Sequence, residues 1–335
     1  MKPCFKYSKF GNYFFFLSNL SEWHFSCRKN YNIIWKKITP SLVEKTKKLT
    51  LFGNILKKYE KWNGNANFPV SARATDLKSI TEGMSVKEKK IIEQTFLLFK
   101  TEFEKTWKES LPRLKIFLKL FKKRKYQKLI KRGEKMLGVY FGKPIGKKLD
   151  IRLLMAPAGE RGGGGANIGP NKITIEIGKI SDTGIKWILG IILHEASHAS
   201  YQSKFNNLVR NFIKSIPHKE YKKYKILKIF NGNLETAIRE LITSSIVGDG
   251  IINEILFGFP SQKHLKKDIE LLDWNNRPHS PLLRKSASIY LKSINKKYLK
   301  KRKQIDIDYL KYAWNFLKKF EEKYKKGKFR ELSSL

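Results

Sequence analysis

His194-Glu195-Ala196-Ser197-His198 sets two histidines four residues apart with a glutamate directly after the first, the H-E-x-x-H pattern. On an α-helix, residues four apart stack on one face a turn from each other, so both imidazoles can be directed at one cation. Glu195 then lies beside that cation, not on it. From there its carboxylate can take a proton from water that the metal has acidified towards a pKa of roughly 7. Trp187-Ile188-Leu189-Gly190-Ile191-Ile192-Leu193 precedes the motif. This run is apolar on nearly every side and predicts a helix buried at the centre of a domain. Buried helices rarely carry two histidines and a glutamate without a partner. The plain alternative is a buried helix whose histidines bond only to backbone or carboxylate groups. The small residues Ala196, Ser197, Ala199 and Ser200 favour the metal, because they leave room for an ion and for close packing.

A catalytic tetrahedral zinc takes three protein ligands and keeps one open position, so a further ligand must come from elsewhere. Residues 199–208 hold neither His nor Asp, which excludes the extended H-E-x-x-H-x-x-G-x-x-H pattern and leaves a downstream carboxylate on a second helix. Leu234-Glu235-Thr236-Ala237-Ile238-Arg239-Glu240-Leu241-Ile242-Thr243-Ser244 begins such a helix, with Glu235 and Glu240 as candidates. Five residues turn a helix by about 140° beyond a full circuit, so the two cannot both face one metal.

Here the chain resembles the gluzincin branch of the zinc metallopeptidases, the group that includes thermolysin. Ala237-Ile238-Arg239-Glu240 and the residues after it are similar to that family's helix, in which the ligand glutamate follows an Ala-Ile pair and precedes an aspartate four residues on. The resemblance covers roughly residues 150–250. It implies Zn2+ as cofactor, a peptide or polypeptide as substrate, and Glu240 as third ligand, with Glu235 its rival. Ser244 stands where the family often has the aspartate that steadies a ligand histidine, so that support must be weaker or come from elsewhere. The family also uses a later His or Tyr to donate to the oxyanion. His279, between Pro278 and Pro281 in a turn-rich stretch, is the first candidate, and Tyr201 the second.

Other elements must position these groups. Ile151-Arg152-Leu153-Leu154-Met155 reads as a strand, and Ile173-Thr174-Ile175-Glu176-Ile177 alternates with period two. Two strands thus lead to a helix beginning near Gly184, with Asp182 or Thr183 as its cap. In the resembling enzymes an edge strand before the motif helix binds substrate as an added strand, a role that falls here to residues 173–177. The loop of residues 159–169 contains Gly162-Gly163-Gly164-Gly165 but no following Gly-Lys-Ser/Thr, so it is no P-loop; it is a mobile lip or a connector.

Upstream, Ser85 with Glu88 forms a capping box, and Ile91, Ile92, Phe96, Leu97, Phe99 and Phe103 continue at helical spacing towards Trp107. A second helix is expected after Pro112, ending near Gly138. Downstream, residues 205–216 and 221–230 read as basic amphipathic segments divided by Pro217, Asn231-Gly232-Asn233 as a turn, and the C-terminal part as a loop followed by basic helices. The expected fold class is α+β: a zincin-like metallopeptidase core of a small mixed sheet, the motif helix and the glutamate helix, flanked by helical terminal regions. Residues 1–149 form a mainly helical N-terminal region and residues 150–335 the metallopeptidase domain.

The 70 Lys and Arg against 29 Asp and Glu give a net charge of +41, a value that suggests nucleic acid or another anionic surface as a non-specific partner. The competing function is therefore a basic nucleic-acid-binding protein with a structural or relic metal site; a third is a membrane-surface protein. Lysines are spread over almost the whole chain, with Ile, Asn, Tyr and Phe also frequent, so a compositional bias of the genome is the favoured explanation of the charge, and the dense tracts at residues 122–131 and 296–303 contain interleaved Leu, Ile or Tyr that suit solvated helix faces. Two cysteines, Cys4 and Cys27, provide no disulfide framework and no Cys-based zinc site. Tyr13-Phe14-Phe15-Phe16-Leu17 is apolar but short, which argues against a signal peptide, and no later run reaches the length of a membrane span. A cytoplasmic protein is the expectation.

Overall fold

The computed structural model of the chain describes residues 2–23, 27–37, 42–59, 75–160, 162–165, 170–201, 203–221, 233–259 and 279–325. Its described residues are mostly helical with a small mixed sheet of four strands, an α+β arrangement. The chain divides into two compact units, residues 1–127 with 146–199 and residues 128–145 with 200–335. No helix among the described residues is long and apolar enough to cross a membrane.

The first unit holds β1 (Lys2–Lys6), α1 (Lys9–Leu20), α2 (Lys29–Lys37), α3 (Leu42–Lys58), α4 (Leu77–Thr81), α5 (Val86–Leu98), α6 (Lys100–Phe121) and the start of α7 (Arg124–Phe141). It continues with β2 (Lys148–Met155), β3 (Gly164–Gly165), β4 (Lys172–Ile177) and α8 (Asp182–Ala196). The sheet order is β1-β2-β4-β3. Pairings β1–β2 and β2–β4 are parallel and β3–β4 is antiparallel.

Every residue from Ile173 to Ile177 is buried, those of even number included. The period-two pattern therefore does not mark one wet face here. Helices packed on a sheet, as α8 and α6 are on β4, keep such a strand dry. The expectation that residues 173–177 form a sheet edge is corrected, because β3 pairs outside them, Gly164 opposite Ile175 and Gly165 opposite Thr174. Part of the glycine loop is thus strand, not only lip or connector.

The apolar run from Tyr13 to Leu17 lies inside α1 and is buried; Tyr13 stacks on Phe103 with ring centroids 4.1 Å apart. Strand β1 pairs with β2 only as far as Arg152. Beyond it the side chain of Asn12 takes over: its Nδ2 donates to Leu153 O at 3.2 Å and its Oδ1 accepts from Met155 N at 2.6 Å. Buried strand groups left without a ladder partner are thereby satisfied.

The expected helix pair breaks in a different place. Ser85 caps α5 through the capping box with Glu88, but the break falls at Phe99, whose buried ring holds the corner, and not at Pro112. Pro112 lies within α6. Both Pro112 and Lys108, the residue whose carbonyl loses its donor, are on the exposed side, where water satisfies the carbonyl. Helix α7 runs past Gly138 to Phe141 and stops before Gly142, whose φ of +83° suits a left-handed helix end.

The second unit contains the rest of α7, then α9 (Ser203–Lys214), α10 (His218–Tyr221), α11 (Leu234–Ile246), α12 (Ile251–Phe257), α13 (His279–Tyr290), α14 (Lys292–Lys301) and α15 (Ile307–Lys325). Helix α11 is its centre, with Ala237, Ile238, Leu241, Ile242 and Ile246 fully buried and α9, α13 and α15 packed around it. Asn233 is not merely a turn residue but the N-cap of α11, its side chain accepting from Thr236 N. The expected segment 221–230 lies outside the described residues beyond Tyr221, as does most of the expected loop before His279.

A polar knot locks this unit: Asn295 Nδ2 donates to Ser245 O, Tyr309 OH donates to Asn295 Oδ1, and Tyr140 OH donates to Asn295 O. Lys296, Lys297, Lys300 and Lys301 line the exposed side of α14, while Asn295 and Tyr298 face inward, the solvated basic face expected from the tract.

Candidate metal centre

Helix α8 is capped by Ser181, whose Oγ accepts from Gly184 N at 3.0 Å. Neither Asp182 nor Thr183 is the cap. Asp182 instead occupies the first turn, where the helix dipole favours an anion. Hydrogen bonds from Lys125, Lys186 and Tyr126 hold its carboxyl well below the usual range. Ile185, Ile188, Leu189, Ile192 and Leu193 are buried, and the helix packs on β4. The α-helical geometry ends at Ala196, and Ser197–Tyr201 form a π-turn. One-turn π segments inside helices recur at functional sites because they re-aim a side chain.

His194 Nε2 and His198 Nε2 face each other at 3.2 Å, with ring centroids 4.8 Å apart and planes at 74°. Ser197 Oγ donates to His194 O at 2.7 Å and steadies the junction. Glu195, between the histidines in sequence, is 9% exposed. Its Cγ lies against the end strand, 2.9 Å from where a Cβ on Gly164 would stand. Only glycine leaves room for this approach.

Glu240 lies on α11, in the second unit. Glu235 is engaged by arginines: Arg210 Nε lies 3.1 Å and Arg239 Nη1 3.7 Å from its Oε1. Ser244 is buried, and its Oγ has no hydrogen-bond partner. Tyr201 is buried, and burial, with Glu134 adding to it, pushes its hydroxyl pKa up. His279 is the first residue of α13, so the stretch is helical there and not only turn; its side chain lies outside the described residues.

A second cluster in the first unit went unread in the sequence. Glu176 is fully buried on β4, and Arg28 Nε lies 2.7 Å and Tyr31 OH 2.6 Å from its Oε2. Burial opposes the charge on Arg28. Glu176, then Tyr31 and more distantly Glu195, outweigh it and hold the guanidinium pKa above its ordinary value. The signal was present in the strand: a glutamate among isoleucines reads as a polar-face residue only while one face is taken to be wet. Once both faces are dry, it demands a cation.

No protein-family model matches the chain. No curated protein and no solved structure matches it either.

Proposed function

We propose that the chain is a zinc-dependent peptidase of the gluzincin type, with a zincin-like core, in which His194, His198 and Glu240 hold Zn2+ and Glu195 is the general base. The observation that carries this reading is the facing of the two imidazole nitrogens of His194 and His198 on the motif helix. Its donor set suits zinc. With zinc–ligand bonds of about 2.0–2.1 Å, a tetrahedral site spaces its ligand atoms roughly 3.3 Å apart, and the two imidazole nitrogens stand at 3.2 Å. In metal-free protein the same spacing serves an N–H···N hydrogen bond.

When bound, zinc supplies Lewis-acid chemistry, polarising a carbonyl and making water acidic near neutral pH. Glu195 takes the proton of the attacking water and passes it to the leaving amine. Its buried setting against Gly164 limits the directions in which the carboxylate can swing. His279 is the proposed donor to the oxyanion, with Tyr201 second. The added-strand role of the substrate moves from residues 173–177 to the end strand Gly164–Gly165.

Elemental analysis for zinc, paired with cleavage of a peptide library, tests this on wild type. About one zinc per chain and cleavage abolished by chelation are expected. A wild type that takes up no zinc when supplied with it defeats the reading. In that event the exposed lysines around residues 122–125 and on α14 favour the polyanion-binding alternative, which a steep salt dependence of nucleic-acid binding reports.

A further inference from the structure

We infer that Arg28 is a positioning residue for the reaction proposed above: its guanidinium holds the end strand at Gly163 so that Gly164 backs the side chain of Glu195. The catalytic half of this inference rests on the peptidase reading, while the holding of the strand rests on contacts within the first unit alone.

Strand β3 is two glycines long and pairs on one side only. Glycine brings no side chain to bury and loses the most backbone freedom on ordering. Something outside the strand must therefore fix it. The ladder bond from Glu176 N to Gly163 O, 2.9 Å, gives one tie. Arg28 gives another, since a Cβ on Gly163 would overlap Arg28 Nη2; the guanidinium occupies the space of the missing side chain. On the opposite face, a Cβ on Gly164 would come within 2.7 Å of Ile191 and 2.9 Å of Glu195. The segment is held between the guanidinium and the motif helix.

Arg28 is itself mounted by polar groups with almost no access to water. Asn19, fully buried, accepts from Arg28 N at 2.8 Å and donates to Arg28 O at 3.2 Å. Glu176 and Tyr31 fix the side chain from the far end. An apolar residue at position 176 could fill the same volume without the desolvation cost that the buried Glu176 carboxylate carries. Keeping the pair gives a directed, rigid group at one point of the strand, and that point adjoins Glu195.

The experiment uses the full chain supplied with zinc: wild type, Arg28→Met, Arg28→Lys and Gly163→Ala. Zinc content, kcat and KM on a peptide cleaved by wild type, and hydrogen exchange of the segment spanning residues 162–165 are measured together. Arg28→Met is expected to speed exchange of that segment and to lower kcat about tenfold or more, since small misplacements of reacting groups are costly. Zinc content is expected to stay unchanged, because no metal ligand is removed, while KM rises by less than kcat falls, because the loosened segment is also the proposed substrate edge. Arg28→Lys should recover part of both losses.

Gly163→Ala, which leaves every charge in place but evicts Nη2, should reproduce the Arg28→Met result and add little to it in the double variant. It also stands in if Arg28→Met does not fold. Wild-type kcat in folded Arg28→Met, or a loss of kcat with unchanged exchange, overturns the inference. A wild type that neither binds zinc nor cleaves peptide overturns the peptidase reading and the catalytic half with it, and the exchange data alone then decide whether Arg28 holds the strand.

Discussion

His194 Nε2 stands 3.2 Å from His198 Nε2 across the junction where α8 gives way to a π-turn. Two imidazole nitrogens at this distance either share a proton or share a cation. The cation, with Glu240 as the proposed third ligand, is the choice on which the proposed function depends.

Glu240→Ala is therefore expected to lose zinc, and Glu235→Ala, which removes only the partner of Arg210 and Arg239, to keep it. Elemental analysis of both variants checks this. Zinc should also raise thermal stability: at free metal one hundred times Kd, one site that binds only the folded chain contributes about 2.7 kcal/mol. Calorimetry with and without chelator reads that difference.

Glu195→Gln is expected to hold zinc at wild-type stoichiometry while peptide cleavage falls about 10²- to 10⁴-fold, the usual contribution of a positioned proton acceptor. Loss of zinc in this variant would move Glu195 from base to ligand. His279→Ala should lower kcat by about 10²-fold with little change in zinc, as removal of an oxyanion donor does. Steady-state kinetics beside the zinc assay separates the two roles.

Ser181→Ala removes the cap of the motif helix and is expected to cost about 1 kcal/mol of stability. Denaturant unfolding measures it. Asp182→Ala should do less, because Asp182 meets exposed lysines and not the first free amides of the helix.

Glu88 joins α5 to α3, with Lys58 Nζ 2.7 Å and Tyr59 OH 2.7 Å away. Hydrogen bonds from Lys58, then Tyr59 and Ser85, hold its carboxyl down at about 2. A depressed carboxylate stabilises the fold above the usual carboxylate pKa and loses that contribution as pH falls towards its folded value. Melting temperature should thus drop more steeply between about pH 5 and pH 2.5 for wild type than for Glu88→Gln.

Local pattern carried much of this in the sequence. The spacing of His194 and His198, the capping box of Ser85 and Glu88, and the strands around residues 151–155 and 173–177 depend on neighbours a few positions away, which is why they were legible. Pro112 misled because its cost depends on which side of the helix it occupies, and only packing decides that. The edge of the sheet was misplaced for a related reason: glycines carry no hydrophobic period, so nothing local marks Gly164 and Gly165 as a strand.

What the sequence by itself determined is the chemistry available on one helix face, since helical geometry alone brings His194 and His198 together and leaves Glu195 beside them. The tertiary structure decided everything that joins distant positions. It set β1 against β2, engaged Glu235 with Arg210, and matched the buried Glu176 with Arg28. These pairings turn on burial. A carboxylate in water needs no particular partner, whereas one enclosed on both faces of a sheet must find a cation, and which one it finds is settled by how the chain packs.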